Sequence, residues 1–402
     1  MPALLRERRF ALYLAGQLLS QIGDGIYLVT LPFVVLDQGG GAANLGVVLA
    51  CYGVARLAFL PVGGALADRL GARPVMLAAD ALRAVVVLGF VVLAARGHIP
   101  LWAMIAVAVP FGALGGIFMP ASFAVLPQIV RPDSLAAGNS LIQVVQSTSR
   151  IAGPALGGML VASLKSGVGL LIDAITFLVS SLTLMAIRPA GDTPDGTAAH
   201  HDGDGLRTWR SVLRYAAGSP LVRTTLLTTL VFNLAAVGLI EIALPVFARD
   251  SLGRGALGFG VVMAGLGAGS VAGALLGPVL LRLRRRGLVA LCLGVAEGLA
   301  MTSVPLGSSL LMATAAMFTA ASLQATVNVF YMTMLQRTVP AGALGRVMSL
   351  LATCAGLAYP ASALLAGTAL GTIDPEVVIV LAGLGVSASF AVGFLSRPYR
   401  NL

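Results

Sequence analysis

The chain has 402 residues, of which 58% are hydrophobic and only 10% charged, and its mean hydropathy is strongly positive. A water-soluble protein of this length exposes far more charge, so this composition excludes a soluble enzyme and a soluble nucleic-acid-binding protein, although the formal net charge is +10. Successive apolar runs of roughly 20 residues are long enough to cross a ~30 Å hydrocarbon layer and lack the alternation of strands. The composition predicts an all-α membrane protein.

The apolar runs predict twelve transmembrane helices. We place them at 10–36, 44–67, 75–95, 99–123, 138–162, 167–188, 222–248, 256–281, 288–306, 309–333, 345–370 and 376–396. With both termini in the cytoplasm, most Lys and Arg residues lie in cytoplasmic loops, as the positive-inside rule requires. The residues outside this pattern are Arg96, Lys165, Arg249 and Arg254 in outer loops and Arg56, Arg83 and Arg150 within spans.

The first span, which contains "SQIGDGIYLVTLP", carries an aspartate near its middle. An ionisable group at the bilayer centre costs roughly 2.5–3.5 kcal/mol on insertion scales, so it is a functional candidate. Polar residues at helical spacing form a stripe on this span and another on the fifth, and such stripes should face water or protein. The stripes contain Gln17, Gln21 and Asp24, and Gln143, Gln146 and Arg150. Asp24 and Arg150 are candidate counter-ions, at a proton or cationic-substrate site or in a structural ion pair.

The loop after the second span reads "GGALADRLGARP", in which Gly64, Asp68, Arg69, Gly71 and Arg73 fit G-x-x-x-D-R-x-G-x-R. Here the chain resembles the major facilitator superfamily, whose signature this is. The resemblance implies that Asp68 meets the start of the eleventh span and helps to latch the outward-facing state. The alternative is that these arginines only set the topology.

The fifth span ends in "GPALGG", which resembles part of the proline–glycine motif of drug-exporting antiporters. Its residues are Gly153, Pro154, Gly157 and Gly158. Proline removes a backbone donor, and glycine permits close packing of helices. The alternative is that the motif serves only the general packing of membrane helices.

The polar gap at 189–220 separates six spans from six. We predict an N-terminal bundle at 1–188, a cytoplasmic linker with an interfacial helix near 209–215, and a C-terminal bundle at 221–402. "LPFVVLDQGG" from 31 matches "LPVFARDSLG" from 244, which indicates two repeated halves. Such repeats are typical of transporters that bind substrate near the midplane. His200 and His201 in the linker are interpreted as part of a solvated segment rather than a metal site.

The seventh span carries the second candidate carboxylate, Glu241. By the repeat it corresponds to Leu28, one turn from Asp24, so each half offers one carboxylate near a central cavity. Asn233 and Asn328 are further candidates to line that cavity.

Four further charges in the spans have other interpretations. Asp80 and Arg83 are expected to form a local pair, and Glu297 in the ninth span is expected to pair locally. For Asp173 and Arg56 the sequence leaves a structural and a functional role open.

Segments along nearly the whole chain, such as "DAITFLVS" and "LQRTVPAGALGRVMS", resemble bacterial exporters related to the enterobactin and macrolide efflux proteins. The resemblance implies a monomeric exporter of amphiphilic small molecules in the bacterial cytoplasmic membrane, coupled to protons. No cofactor and no metal are expected, because the sequence has no Walker loop and no Cys/His metal spacing in its loops. The alternatives are a lysophospholipid flippase, an importer or a sensor. A membrane enzyme is disfavoured because no clustered nucleophile, base and metal ligands are present.

Overall fold

The computed structural model describes residues 2–37, 41–95, 99–164, 166–187, 209–280, 283, 285–307, 309–339 and 341–394. Within these ranges the regular structure is helical, with twelve long helices. They are α1 (Arg8–Asp37), α2 (Gly41–Leu70), α3 (Ala72–Ala95), α4 (Leu101–Ile129), α5 (Leu135–Leu164), α6 (Ser166–Ala186), α7 (Pro220–Ser251), α8 (Gly255–Leu280), α9 (Arg286–Thr302), α10 (Leu310–Thr338), α11 (Ala341–Ala369) and α12 (Pro375–Gly393). Each contains most of one predicted span. Most of the predicted linker, with His200 and His201, lies outside the described residues.

Most of these helices extend beyond the apolar runs from which they were predicted. The fourth span was expected to end at residue 123, whereas α4 continues to Ile129. A helix satisfies its own backbone hydrogen bonds, so it continues into the polar region where the hydropathy signal has already fallen. Among the described residues, ten helices are long and apolar enough to cross a membrane by composition alone. The two others are α5, which carries the polar stripe, and α9, which has 17 residues.

A shorter helix, Trp209–Gly218, lies where the interfacial helix was predicted. It ends just before α7, whose start is defined by local sequence. The side chain of Ser219 accepts a hydrogen bond from the backbone N–H of Val222, and Pro220 occupies the first turn, where its missing N–H costs nothing.

The chain divides into two compact units. The first, called here the N-terminal unit, contains residues 1–194 and 248–264, and the second, the C-terminal unit, contains residues 195–247 and 265–402. In the N-terminal unit, glycines bring α4 against α2. A Cβ added to Gly112 would lie 2.2 Å from the backbone oxygen of Tyr52, and one added to Gly116 would lie 2.2 Å from that of Arg56. Only glycine allows two helices to approach so closely.

In the C-terminal unit, glycines spaced by four residues on α8 make the corresponding approach to α10. A Cβ on Gly269 would lie 2.1 Å from the backbone oxygen of Phe318, and one on Gly273 would lie 2.0 Å from that of Ser322. Residues four apart share one helix face, so these glycines form a continuous flat strip. Both units therefore contain a helix pair that depends on glycine.

The helix α7 is irregular. It changes to π-helical hydrogen bonding over Leu239–Ala243 and again over Phe247–Ser251. Glu241 lies inside the first of these wide turns. By contrast, α1, which the sequence repeat aligns with α7, is α-helical throughout. Short π-helical turns are frequent at functional sites because they displace side chains from regular helical positions.

Candidate functional site

The loop that carries the family motif contains only one residue outside the helices, Gly71. The helix α2 ends at Leu70 and α3 begins at Ala72, and between them Gly71 adopts φ +87°. That left-handed conformation is readily available only to glycine, so Gly71 permits an abrupt reversal between the two helices. The motif therefore defines a tight turn.

Arg73 ties the start of α3 to the end of α6. Its Nε donates to the backbone oxygen of Leu184 at 2.7 Å and its Nη2 donates to that of Met185 at 3.0 Å. A cation is favourable at a helix C-terminus, where backbone carbonyls lack partners inside the helix. Arg73 thus holds the N-terminal unit together, in addition to any effect on topology.

The remaining motif residues are partly or fully exposed within their unit. Asp68 and Arg69 are exposed, and the predicted meeting of Asp68 with the eleventh span stays a prediction. A Cβ on Gly64 would meet open space, whereas one on Gly63 would lie 2.6 Å from the Cα of Ile117. The close contact of α2 with α4 is thus made by Gly63, the residue before the motif glycine.

The glycines of the "GPALGG" segment pack at close range. A Cβ on Gly153 would lie 2.8 Å from the Cα of Gly25, and one on Gly157 would lie 3.0 Å from that of Ile26, so α5 presses against α1 beside Asp24. Gly158 faces the start of α8, since a Cβ added to it would lie 2.8 Å from the backbone oxygen of Ala256. Pro154 lies within the same helix. The segment determines how α5 meets α1.

The N-terminal unit brings together five charged residues from four helices, here called the charge cluster: Asp24, Arg56, Asp80, Arg83 and Asp173. Asp24 interacts electrostatically with Arg83 and Arg56, and Asp173 interacts with Asp24, Arg83 and Asp80. The cluster joins helices α1, α2, α3 and α6. The sequence predicts three separate features here: a local pair of Asp80 and Arg83, an undecided role for Asp173 and Arg56, and a candidate site at Asp24.

Arg83 is the central cation of the cluster. Its Nη1 lies 3.5 Å from Oδ1 of Asp80, which confirms the predicted local pair. Its guanidinium lies 4.7 Å from the ring centroid of Phe118, with Phe111 and Phe177 also within 6 Å. Aromatic faces stabilise a desolvated cation, so the rings and the carboxylate together hold Arg83 in place.

The three carboxylates of the cluster differ in exposure. Asp80 and Asp173 are fully buried, whereas Asp24 is exposed although it lies within a membrane span. Ser180 donates a hydrogen bond of 2.7 Å to Asp80. Among the described residues, neither oxygen of Asp173 has a hydrogen-bond partner. A Cβ on Gly23 would lie 2.7 Å from Asp173 Oδ1, so Asp173 reaches α1 beside Asp24.

The polar stripes have mixed surroundings. Gln17 is buried, and its amide nitrogen has no hydrogen-bond partner among the described residues, while Gln21 and Gln146 are half-buried. Gln143 and Arg150 are exposed. The proposed pairing of Asp24 with Arg150 does not occur among the ion pairs of the described ranges. Arg83 and Arg56 reach Asp24 from α3 and α2 instead.

In the C-terminal unit, Glu241 accepts a short hydrogen bond from the hydroxyl of Tyr359 on α11. The π-helical turn that contains Glu241 follows Gly238, whose backbone N–H donates to the side chain of Ser362 at 2.7 Å. The second candidate carboxylate therefore lies at a contact between α7 and α11.

A cavity of about 220 Å³ lies within the C-terminal unit. We call it the Glu297 pocket. Its lining residues are Thr228, Thr229, Phe232, Asn233, Glu297, Gln324, Val327, Asn328, Tyr331 and Phe390. Both asparagines predicted to line a cavity belong to it, and the Nδ2 of Asn233 also donates to the backbone oxygen of Thr229 at 2.8 Å.

The expectation that Glu297 pairs locally is wrong. Its side chain is buried, and neither carboxylate oxygen has a hydrogen-bond partner within the described ranges. The neighbours of α9 explain this. A Cβ on Gly298 would lie 2.3 Å from the hydroxyl oxygen of Ser387 on α12, and that hydroxyl donates to the backbone oxygen of Val295 at 3.1 Å instead of to Glu297. Gly294 meets the ring of Phe390. Across the described ranges, no group of three His, Cys, Asp or Glu side chains could hold a metal ion.

Comparison with known proteins agrees with this architecture. The profile described as Major Facilitator Superfamily matches residues 13–363. The MFS-type transporter YvqJ of Bacillus subtilis is 24% identical over 387 residues, covering 94% of this chain and 90% of YvqJ. The multidrug efflux pump Tap of Mycolicibacterium fortuitum is 27% identical over 367 residues, covering 89% of this chain and 88% of Tap.

Among solved structures, a bacterial homologue of the human lysosomal transporter Spinster superimposes with a TM-score of 0.75 at 13% sequence identity, covering 98% of each chain. At this identity the likeness shows the fold. It confirms the predicted arrangement of twelve helices in two pseudo-symmetric halves. The chain belongs to the major facilitator superfamily and is a multi-pass membrane transporter, not an enzyme.

Proposed function

We propose that this transporter exports an amphiphilic small molecule across a bacterial cytoplasmic membrane while a proton moves inward. In this proposal both termini are cytoplasmic, the protein acts as a monomer in contact with membrane lipid, and the two halves alternate in opening to each side. The relative Tap, named a multidrug efflux pump, supports the export direction. The GPALGG segment, which resembles an antiporter motif, supports exchange.

The observation that carries the proposal is the charge balance of the cluster. It contains three carboxylates, Asp24, Asp80 and Asp173, but only two guanidinium groups, Arg56 and Arg83. The cluster therefore has one negative charge in excess, and because Asp80 and Asp173 are buried, an excess charge beside them is unfavourable. The cluster is most stable when a cation neutralises the third carboxylate. A proton or a cationic group of the substrate satisfies this requirement. Their competition for one negative charge is the simplest basis for exchange.

Asp24 is the residue at which we propose that this competition occurs. Its exposure makes it the carboxylate of the cluster that an incoming proton or substrate reaches, whereas Asp80 and Asp173 are enclosed. Arg83 positions the carboxylates and supplies the opposing charge. Movement of α3 relative to α1 changes the distance from Arg83 to Asp24 and thus the affinity of Asp24 for a cation.

The other predicted residues take supporting roles in this proposal. Glu241, in the π-helical turn of α7, is the second proton or cation acceptor, and the motif carboxylate Asp68 stabilises one of the two open states. The remaining polar residues contact the substrate: Gln17, Gln21, Gln143, Gln146, Arg150, Asn233 and Asn328.

The test uses inverted membrane vesicles with an acid interior, monitored with a dye that is quenched at low pH. Antibiotics, cationic dyes, siderophores and lysolipids are added one at a time. A substrate of the wild-type protein should dissipate the gradient, and Asp24→Asn should abolish that response. Asp133→Asn is the matched control, because Asp133 is exposed in the 3-10 turn between α4 and α5, outside the charge cluster.

Two outcomes contradict the proposal. If Asp24→Asn and Asp133→Asn behave alike while the wild type responds, Asp24 is not in the coupling path. If no compound dissipates the gradient but a labelled lysolipid crosses without one, the protein is a lipid flippase. Accumulation of substrate in right-side-out membrane vesicles would indicate import. Binding of substrate without flux would indicate a sensor.

A further inference from the structure

We propose that the Glu297 pocket, which lies within the C-terminal unit, is a second cation site and that it binds an ammonium group. The inference rests in part on the proposed function, because an exported amphiphile that carries an ammonium group is the natural ligand. It adds a site on α7, α9, α10 and α12 that is separate from the charge cluster of the N-terminal unit.

The first argument is the state of the Glu297 carboxylate. Its residue is 1% exposed, and both oxygens lack a hydrogen-bond partner among the described residues. A buried carboxylate without donors is among the most unfavourable groups in a protein interior. Protonation or a bound cation relieves this cost, and the pocket that Glu297 borders provides room for a cation.

The second argument is the lining around the carboxylate. Three aromatic rings border the pocket, from Phe232, Tyr331 and Phe390, and the rings of Tyr331 and Phe390 are stacked with centroids 6.3 Å apart. Aromatic faces with a nearby carboxylate recognise organic ammonium ions. A bare divalent cation instead prefers several oxygen ligands of the carboxylate or carbonyl type. Amide oxygens of Asn233, Gln324 and Asn328 also line the pocket, but it contains one carboxylate, and the described residues include no group of three His, Cys, Asp or Glu side chains that could hold a metal ion. The aromatic rings beside that carboxylate therefore favour an ammonium group.

The third argument is size. The volume of the Glu297 pocket is about 220 Å³. Pockets that hold a whole drug-sized ligand occupy roughly 300–1,000 Å³. The Glu297 pocket therefore accommodates one head group rather than an entire amphiphile.

The surroundings show where the rest of such a ligand can lie. Phe232 and Gln324 also line a second cavity of about 60 Å³, which is bordered by Ile240 from the π-helical turn of α7. A ligand whose ammonium group meets Glu297 thus lies beside the irregular segment that contains Glu241. The two cavities thus share Phe232 from α7 and Gln324 from α10 as lining residues.

The test measures binding rather than transport. Purified protein in detergent is titrated with tetramethylammonium chloride, with sodium chloride of matched ionic strength as reference, and the melting temperature is recorded. Ligand that binds the folded state raises the melting temperature. We expect a saturable rise for the wild type and for the control Glu376→Gln, which makes the same substitution near the start of α12. Glu297→Gln should weaken the apparent affinity roughly tenfold or more, because a charge-assisted contact is lost.

Three results would overturn the inference. An equal rise in Glu297→Gln shows that tetramethylammonium binds elsewhere, and saturable stabilisation by sodium alone shows a metal-ion site. No saturable effect of either salt shows that the pocket takes no cation. Asp24→Asn should keep the full response to tetramethylammonium. If Asp24→Asn loses coupled flux but Glu297→Gln binds tetramethylammonium as the wild type does, the cation site in the pocket is refuted. The proposed function is then unaffected.

Discussion

Substitution of Arg83 by methionine tests whether the charge cluster depends on its central cation. The guanidinium pairs with Asp80 at 3.5 Å and lies among three phenylalanine rings, and its side chain is only 9% exposed. Methionine retains much of the volume and contacts the rings favourably. The change therefore removes the charge with little loss of packing.

The expected destabilisation follows from that burial. Removing one partner of a buried ion pair costs about 3–5 kcal/mol, because the other charge remains without compensation. We expect the lower end of this range, about 3 kcal/mol, since Ser180 continues to donate to Asp80. This corresponds to more than roughly a hundredfold in the unfolding equilibrium. A second substitution, Asp80→Asn, removes the uncompensated charge and should restore about 1–3 kcal/mol.

The assay is unfolding in mixed micelles with an increasing fraction of SDS, followed by circular dichroism. The wild type, both single variants and the double variant are compared, with Arg150→Met as the control. Arg150 is exposed on α5, so its substitution should change the unfolding free energy by no more than about 0.5 kcal/mol. The reasoning is refuted if Arg83→Met has the same unfolding free energy as Arg150→Met. It is also refuted if the double variant, with Arg83→Met and Asp80→Asn, is no more stable than Arg83→Met alone.

Two further variants test the packing on which the sites depend. Arg73→Met should lower stability by about 1–3 kcal/mol, because two charge-assisted hydrogen bonds to the end of α6 are lost; an unchanged SDS midpoint would contradict this role. Gly269→Ala should cost about 1–3 kcal/mol, because its Cβ would lie 2.1 Å from a backbone oxygen of α10 and the helices must separate. Gly385→Ala, where a Cβ meets open space, should have no cost, and equal thermal stability of the two glycine variants would refute the packing argument.

The span positions and the twofold division were predictable because the membrane imposes a simple rule. Backbone groups must be satisfied within each segment, so an apolar run of sufficient length becomes a helix regardless of its neighbours. The start of α7 can likewise be predicted from the sequence, because a serine at the N-cap followed by a proline in the first turn is typical of a helix start, as at Ser219 and Pro220. The π-helical turns around Glu241 cannot be predicted in this way, because hydrophobicity does not distinguish an α-helical from a π-helical register.

The glycines illustrate a partial success. The family motif contains Gly64, whereas the neighbouring residue Gly63 makes the close contact with α4. Glycines at spacing four, such as Gly265, Gly269 and Gly273, are a visible signal for helix contact and could have been read from the sequence. Which helix each strip meets depends on the arrangement of all the spans.

By itself, the sequence determined the class of protein, the number of helices, the repeated halves and the family motif, since each is a local or periodic property of the chain. Only the tertiary structure decided which charges share one environment. Asp24 and Asp173 are far apart in the chain and interact across α1 and α6. Glu297, expected to pair, is buried, and its carboxylate has no hydrogen-bond partner in the part of the chain that the structure describes. Electrostatic interactions depend on distance and burial in space, and neither can be read from separation along the chain.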